Sequence, residues 1–276
     1  MEWVHFVKKE NYTDTYLSSL KNPKVCTWNQ WRRIQKQLDV QKDDILLVLN
    51  HKMKYIRMAN PEEKHCTYIL KSTSDLNHPA LKNQLHSGDH VCILALSFEA
   101  DVKNQADWDR LYQKQKGMEY EEHIRCFRKF GIQEDQIEWV AYFSDSKEEI
   151  QAKIERSNVL MLTGGNPVLM MKRIKELRLK PFLKNYQGVM IGYSAGAMVL
   201  LDCYHMDDSF YAGIGCLSGF DIEVHYEGQK AEQQRMQKIR EEKHINVYGI
   251  TDQGGIQINE GQMTFFGNVE CGKMSS

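Results

Sequence analysis

Residues 189–200 read V-M-I-G-Y-S-A-G-A-M-V-L, and no other stretch constrains the fold as tightly. Three apolar residues run into Gly192-Tyr193-Ser194-Ala195-Gly196, and a small-residue helical pattern follows. A buried strand that turns sharply into a helix at G-x-S-x-G leaves one hydroxyl exposed at the bend. Gly192 and Gly196 let strand and helix pack closely around a strained turn. Ser194 then stands at a helix N-terminus, where unpaired N–H groups and the helix dipole favour a developing anion. The same letters also fit an ordinary buried strand followed by a glycine turn. The rest of the chain must therefore supply a base, an acid and an anion site.

The 276 residues suffice for one large domain, or one domain with a small appendage. A 42% hydrophobic, 26% charged composition with 5 prolines is that of a globular protein. No apolar run approaches the roughly 20 residues that span a bilayer, and M-E-W-V-H-F-V-K-K lacks the layout of a signal peptide. Seven cysteines without a C-x-x-C pair argue against a disulfide framework or a zinc knuckle and for a reducing, cytoplasmic setting. No cofactor or metal motif is expected. The net charge of −1 conceals an asymmetry, because residues 1–65 carry 12 Lys/Arg against 8 Asp/Glu. That excess is too diffuse for a nucleic-acid footprint. Residues 26–38 are expected to form a helix with Trp28, Trp31, Ile34 and Leu38 on one face and Thr27 as its cap. Strands are expected at 45–49 and 52–57 and a linker at 60–64, giving a small basic α+β appendage over residues 1–65.

From Cys66 the pattern changes. Apolar strands at 68–70, 90–96, 137–143, 159–162 and 189–193 alternate with helical segments at 106–130 and 147–156, and Gly131 serves as a helix stop. Continuous apolar strands between helices predict an α/β fold over 66–276, a mostly parallel sheet with helices on both faces. Ligands of such sheets bind beyond the carboxyl ends of the strands, where Ser194 is expected.

The strand at 159–162 runs into Thr163-Gly164-Gly165-Asn166-Pro167. Asn166 fits an N-cap and Pro167 a first helical residue. The loop has neither G-K-[ST] nor G-x-G-x-x-G, so it does not spell a phosphate loop. The N–H groups of Gly165 and Ala195 would together make an oxyanion hole. Residues 202–208 read as a polar loop, and F-D-I-E-V-H-Y at 220–226 alternates strictly. That alternation places Phe220, Ile222 and Val224 on one side and Asp221, Glu223 and His225 on the other. His225 is a candidate base at the polar end of this strand, or a surface histidine. Residues 229–243 form a charged helix carrying Arg235 and Arg240, and 247–252 a strand ending at Asp252. Asp252 fits a turn residue or an acid that orients the imidazole of His225. A hairpin follows at 256–266.

The segments L-T-G-G-N, I-G-Y-S-A-G-A, G-F-D-I-E-V-H-Y and Y-G-I-T-D-Q-G-G-I, in this order over roughly residues 66–268, resemble the peptidase E and cyanophycinase family of serine peptidases. The resemblance implies a fold similar to the class I glutamine amidotransferases, with a serine where those enzymes carry a cysteine. It implies Ser194 as nucleophile, His225 as general base, and Gly165 and Ala195 as oxyanion donors. The third triad position in that family is usually Glu. Here it falls on Asp252, one methylene or about 1.5 Å shorter. The basic residues 1–65 have no counterpart in the resemblance. The expected function is hydrolysis of small peptides through an acyl-enzyme. Peptidase E prefers an amino-terminal aspartate, which needs a cationic pocket; Arg235 and Arg240 are candidates for it, and Asn166 is a further candidate substrate contact. Two alternatives stay open. One is a catalytically weakened scaffold that binds a ligand or partner; the other is an α/β-hydrolase esterase with Asp202, Asp207 or Asp208 as its acid.

Overall fold

The structure is a computed structural model. It describes the strands Trp3–Val7, Lys24–Cys26, Ile45–Leu49 and Tyr55–Met58, and residues 66–271 except positions 82, 83, 252 and 260. The chain divides into two units, Met1–Lys64 and His65–Ser276. In the first, β1 (Trp3–Val7), β2 (Lys24–Cys26), β3 (Ile45–Leu49) and β4 (Tyr55–Met58) form one sheet in the order β1-β3-β4-β2. The β1–β3 and β3–β4 pairs are antiparallel, and β2 runs parallel to β4. Cys26, where a helix was expected to begin, belongs to a strand. The remainder of that helix (Thr27, Trp28, Trp31, Ile34, Leu38) and the 60–64 linker lie outside the described residues.

The second unit is built on β5 (Cys66–Leu70), β6 (Val91–Leu94), β7 (Ile137–Trp139), β8 (Val159–Leu162) and β9 (Val189–Tyr193), all mutually parallel in the order β5-β9-β8-β6-β7. The hairpin β14 (Gly255–Asn259) and β15 (Gln262–Phe266) adds an antiparallel edge beside β5. Both faces of the inner strands β6, β8 and β9 are covered, which explains why these strands are apolar. Successive side chains point to opposite faces. Cys92, Leu94, Leu160, Leu162 and Met190 pack on one side with Ile150 and Ile154 of α3 (Lys147–Arg156), Met170 and Ile174 of α4 (Pro167–Glu176) and Leu183 of α5 (Lys180–Lys184). Val91, Ile93, Val159, Met161 and Ile191 pack on the other with Ile124 and Phe127 of α2 (Tyr120–Arg128).

Several elements differ from expectation. The helix expected over 106–130 is two helices, α1 (Gln105–Tyr112) and α2, because the chain leaves helical geometry at Gln113 and Gln115 has φ of 60°. The strand expected at 137–143 ends at Trp139. Residues 202–208 are no loop. They form β10 (Cys203–Met206) and the turn, at Asp207 with φ of 53°, into its antiparallel partner β11 (Ser209–Ala212). Beyond it, β12 (Phe220–Glu223) pairs in parallel with β13 (Asn246–Ile250), and β16 (Val269–Cys271) adds antiparallel to β13.

Candidate active site

The parallel register aligns the strand ends that make the site. Leu70 is the partner of Tyr193, and Leu162 of Gly192, so the turns after β5, β8 and β9 emerge at one edge of the sheet. At the end of β9 the chain passes into α6 (Ala195–Leu200) through Ser194, whose φ of 48° and ψ of −117° are costly for a residue with a side chain. Such a conformation costs about 1–3 kcal/mol and persists only where its surroundings fix it. Here the Ser194 N–H donates to the Leu70 carbonyl at 3.1 Å, and the Ser194 carbonyl accepts from the amides of Ala197 and Met198. Close packing finishes the turn. A Cβ on Gly196 would fall 2.1 Å from the Leu162 carbonyl oxygen, and one on Gly192 would fall 2.6 Å from that of Gly196. The glycines thus set how near α6 lies to β8 and β9.

The half-buried Ser194 hydroxyl lies 2.8 Å from Nε2 of His225, which is itself exposed. His225 does not stand on the strand as expected. β12 ends at Glu223, and His225 sits in the turn beyond it. Nor do Asp221 and Glu223 face solvent beside it. Asp221 is 1% exposed, and both carboxylates close on the buried His205 of β10, with Asp221 Oδ2 2.8 Å from Nδ1 and Glu223 Oε2 3.1 Å from Nε2. Burial alone would lower the pKa of His205. Hydrogen bonds to Asp221 and Glu223, reinforced by their charges, outweigh it and push the pKa up to about 9. Glu223 also accepts from Arg235 Nε of α7 (Lys230–Lys243) at 2.9 Å. Burial works to raise its carboxyl, and the cations on either side hold it below the usual range.

On the other side of the elbow, the chain leaves β8 through Thr163 and Gly164 into the exposed Gly165, whose φ of +131° and close approach to the Ser97 carbonyl exclude a side chain. Among the described residues no backbone carbonyl accepts from the N–H of Gly165 or Ala195. Asn166 caps α4, its Oδ1 accepting from the Leu169 N–H at 3.1 Å. Of the other predicted contacts, Arg235 is engaged with Glu223, and Arg240 is half-buried on the same helix. Asp252 lies outside the described residues. Its neighbours are tied down: the Thr251 N–H and hydroxyl both donate to the Asn268 carbonyl, and the Gln253 N–H donates to Asp75 Oδ1 at 3.0 Å. Sequence reasoning passed over Ser97, His123 and His205. Only for His205 did a local signal exist, the Asp207-Asp208 turn between two short runs containing aromatic residues.

A parallel sheet covered on both faces, with a serine at a strained strand-to-helix elbow and a histidine on its hydroxyl, has the layout of a serine-type peptidase. The chain belongs to peptidase family S51, whose family model matches residues 114–266, more than half of its length. No curated protein matches it in sequence. Among solved structures, one at 1.5 Å of a protein assigned to peptidase E from Listeria monocytogenes EGD-e is similar at a TM-score of 0.53 and 17% identity, over 74% of this chain and 98% of that one. A peptidase from an acI-B1 Actinobacterium is 11% identical at a TM-score of 0.46, over 74% and 88% of the two chains. The first likeness is one of fold. Membership of a serine peptidase family sets aside the esterase alternative. In the structure, Asp202 accepts from the Cys203 N–H, and Asp208 lies 3.6 Å from Lys238 at the surface.

Proposed function

We propose that the protein hydrolyses small peptides, with Ser194 as nucleophile, His225 as general base and Asp252 as the acid that orients the imidazole. The observation that carries this reading is the 2.8 Å approach of Ser194 Oγ to His225 Nε2 at a strained elbow. Ser194 Oγ attacks the scissile carbonyl carbon while its proton passes to His225 Nε2. The carbonyl oxygen becomes an oxyanion, held by the N–H groups of Gly165 and Ala195. Collapse breaks the C–N bond, and the leaving amine takes the proton from His225. Water, deprotonated by the same histidine, then attacks the Ser194 ester and releases the acid.

Parallel pairing supports Asp252 as the third member. Glu223 and Gly249 are partners across β12 and β13, so both chains leave the ladder in one direction. His225 follows two residues after Glu223, and position 252 follows three after Gly249. The acids on the strand leading to His225, Asp221 and Glu223, are committed to His205. Arg235 is committed too, so recognition of an acidic substrate would fall to Arg240 and Asn166. Turnover of a dipeptide library tests the reading. Ser194→Ala should lower the rate by on the order of 10⁶ if the triad acts as a unit. A Ser194→Ala variant that still cleaves peptides would remove Ser194 from the mechanism. A folded wild type that cleaves neither peptide nor ester would leave a binding scaffold instead.

A further inference from the structure

Three residues past the end of β6 the chain buries a small polar side chain, Ser97, completely. The hydrogen bonds of its hydroxyl and carbonyl go to the loop between β8 and α4. The Ser97 hydroxyl donates to the Gly164 carbonyl and lies 2.8 Å from Thr163 Oγ1, and its own carbonyl accepts the Asn166 N–H at 2.7 Å. Ser97 is itself held in place. Arg173 of α4, 7% exposed, donates from Nη1 to the carbonyls of Leu96 and Phe98 at 2.6 Å each and lies 3.4 Å over the Phe98 ring. A trans peptide carries its C=O and N–H on opposite sides. The Gly164 carbonyl and the Gly165 N–H belong to one such unit, so tying the carbonyl to Ser97 turns the N–H away from Ser97.

Tyr193 meets the loop from the other side. A Cβ on Gly164 would fall 2.6 Å from Cε2 of the Tyr193 ring and 3.3 Å from Ser194 Cβ, so the glycine is pressed against both. The Tyr193 hydroxyl lies 2.7 Å from Nε2 of the buried His123, whose Nδ1 lies 2.7 Å from the Glu119 carbonyl. A carbonyl can only accept, so Nδ1 carries the proton and Nε2 of the neutral ring accepts from the phenol. Burial pushes the pKa of His123 down and so favours the neutral ring. Both links of the chain Tyr193–His123–Glu119 thus have a fixed polarity, and they anchor the ring that packs on Gly164.

We propose that Ser97 and the Tyr193–His123 pair are positioning residues: they grip the Gly164–Gly165 peptide from two sides and aim the Gly165 N–H at the oxygen of a carbonyl attacked by Ser194. A peptide between two glycines rotates easily, and the flipped form would present the Gly164 carbonyl to the oxyanion in place of a donor. A donor already in place costs no reorganisation when charge develops. The inference rests on Ser194 being the nucleophile.

The test is the second-order rate at which a fluorophosphonate modifies Ser194 in the full chain, because attack on phosphorus develops charge on an oxygen bound like that of the carbonyl. Ser97→Ala and Tyr193→Phe, which keeps the ring against Gly164, should each react about tenfold to a hundredfold more slowly. They should reach the same final stoichiometry as wild type, with an unchanged midpoint in the pH–rate profile. A merely structural role would instead lower the reactive fraction and leave the rate of the remaining molecules alone. If Ser97→Ala does not fold, Tyr193→Phe decides. Wild-type rates in the folded variants, or a loss confined to stoichiometry, would overturn the clamp while leaving the nucleophile in place. A wild type that never reacts at Ser194 would overturn the nucleophile and the clamp with it.

Discussion

Two carboxylates, of Asp221 and Glu223, close on the imidazole of His205, whose side chain is 5% exposed, and Arg235 completes a charged set beneath the turn that carries His225. The pKa of His205 is pushed up to about 9, above the roughly 6.5 of an unfolded histidine. A raised histidine contributes stability that is fully present below pH ~6.5 and lost as pH rises through about 9, on the order of 3 kcal/mol here. The stability gap between wild type and His205→Gln, followed by urea unfolding, should therefore be widest near pH 6 and shrink by pH 9.5. A gap independent of pH would mean that His205 is neutral in the fold. Legibility in the sequence followed distance along the chain. Ser194 and its glycines are recognisable because a strained turn is specified by residues one or two positions apart. Ser97 and Thr163 are 66 positions apart, and His123 and Tyr193 are 70 apart, so no local pattern announces either pair.

Strands and helices were legible where one periodicity persisted. The apolar runs at β6, β8 and β9 and the amphipathic α3 lie where their patterns place them. Reading failed where a covered face hid the pattern. The alternation F-D-I-E-V-H-Y suggests one wet face, yet the second face of β12 is closed by β10 through His205, and Asp221 is buried there. His225 then leaves the strand to reach the elbow. In the proposed triad the parallel pairing of β12 with β13 matters, because His225 and position 252 follow adjacent strand ends in the sequence. Asp252→Asn should keep the circular dichroism spectrum and cut turnover by about 10⁴, as removal of the orienting charge does in other serine triads. Turnover within a few-fold of wild type would assign the acid elsewhere.

Across the whole chain, the division into Met1–Lys64 and His65–Ser276 leaves the complete seven-stranded sheet in the second unit, its strand β5 beginning at Cys66. We propose that the two units are separate domains and that residues 65–276 fold alone with a single cooperative melt. Aggregation or a non-cooperative melt would make the first unit part of the peptidase fold. No described helix is long and apolar enough to cross a membrane, and among the described residues no group of three His, Cys, Asp or Glu could hold a metal ion. The chemistry proposed for the site passes through a covalent intermediate, which is the most direct thing to seek. Wild type mixed with an activated peptide ester, quenched in acid within milliseconds and digested, should yield a peptide carrying the acyl group on Ser194. The same experiment on His225→Ala should yield none. Turnover of the ester without acylation of Ser194, or acylation at another residue, would contradict the account.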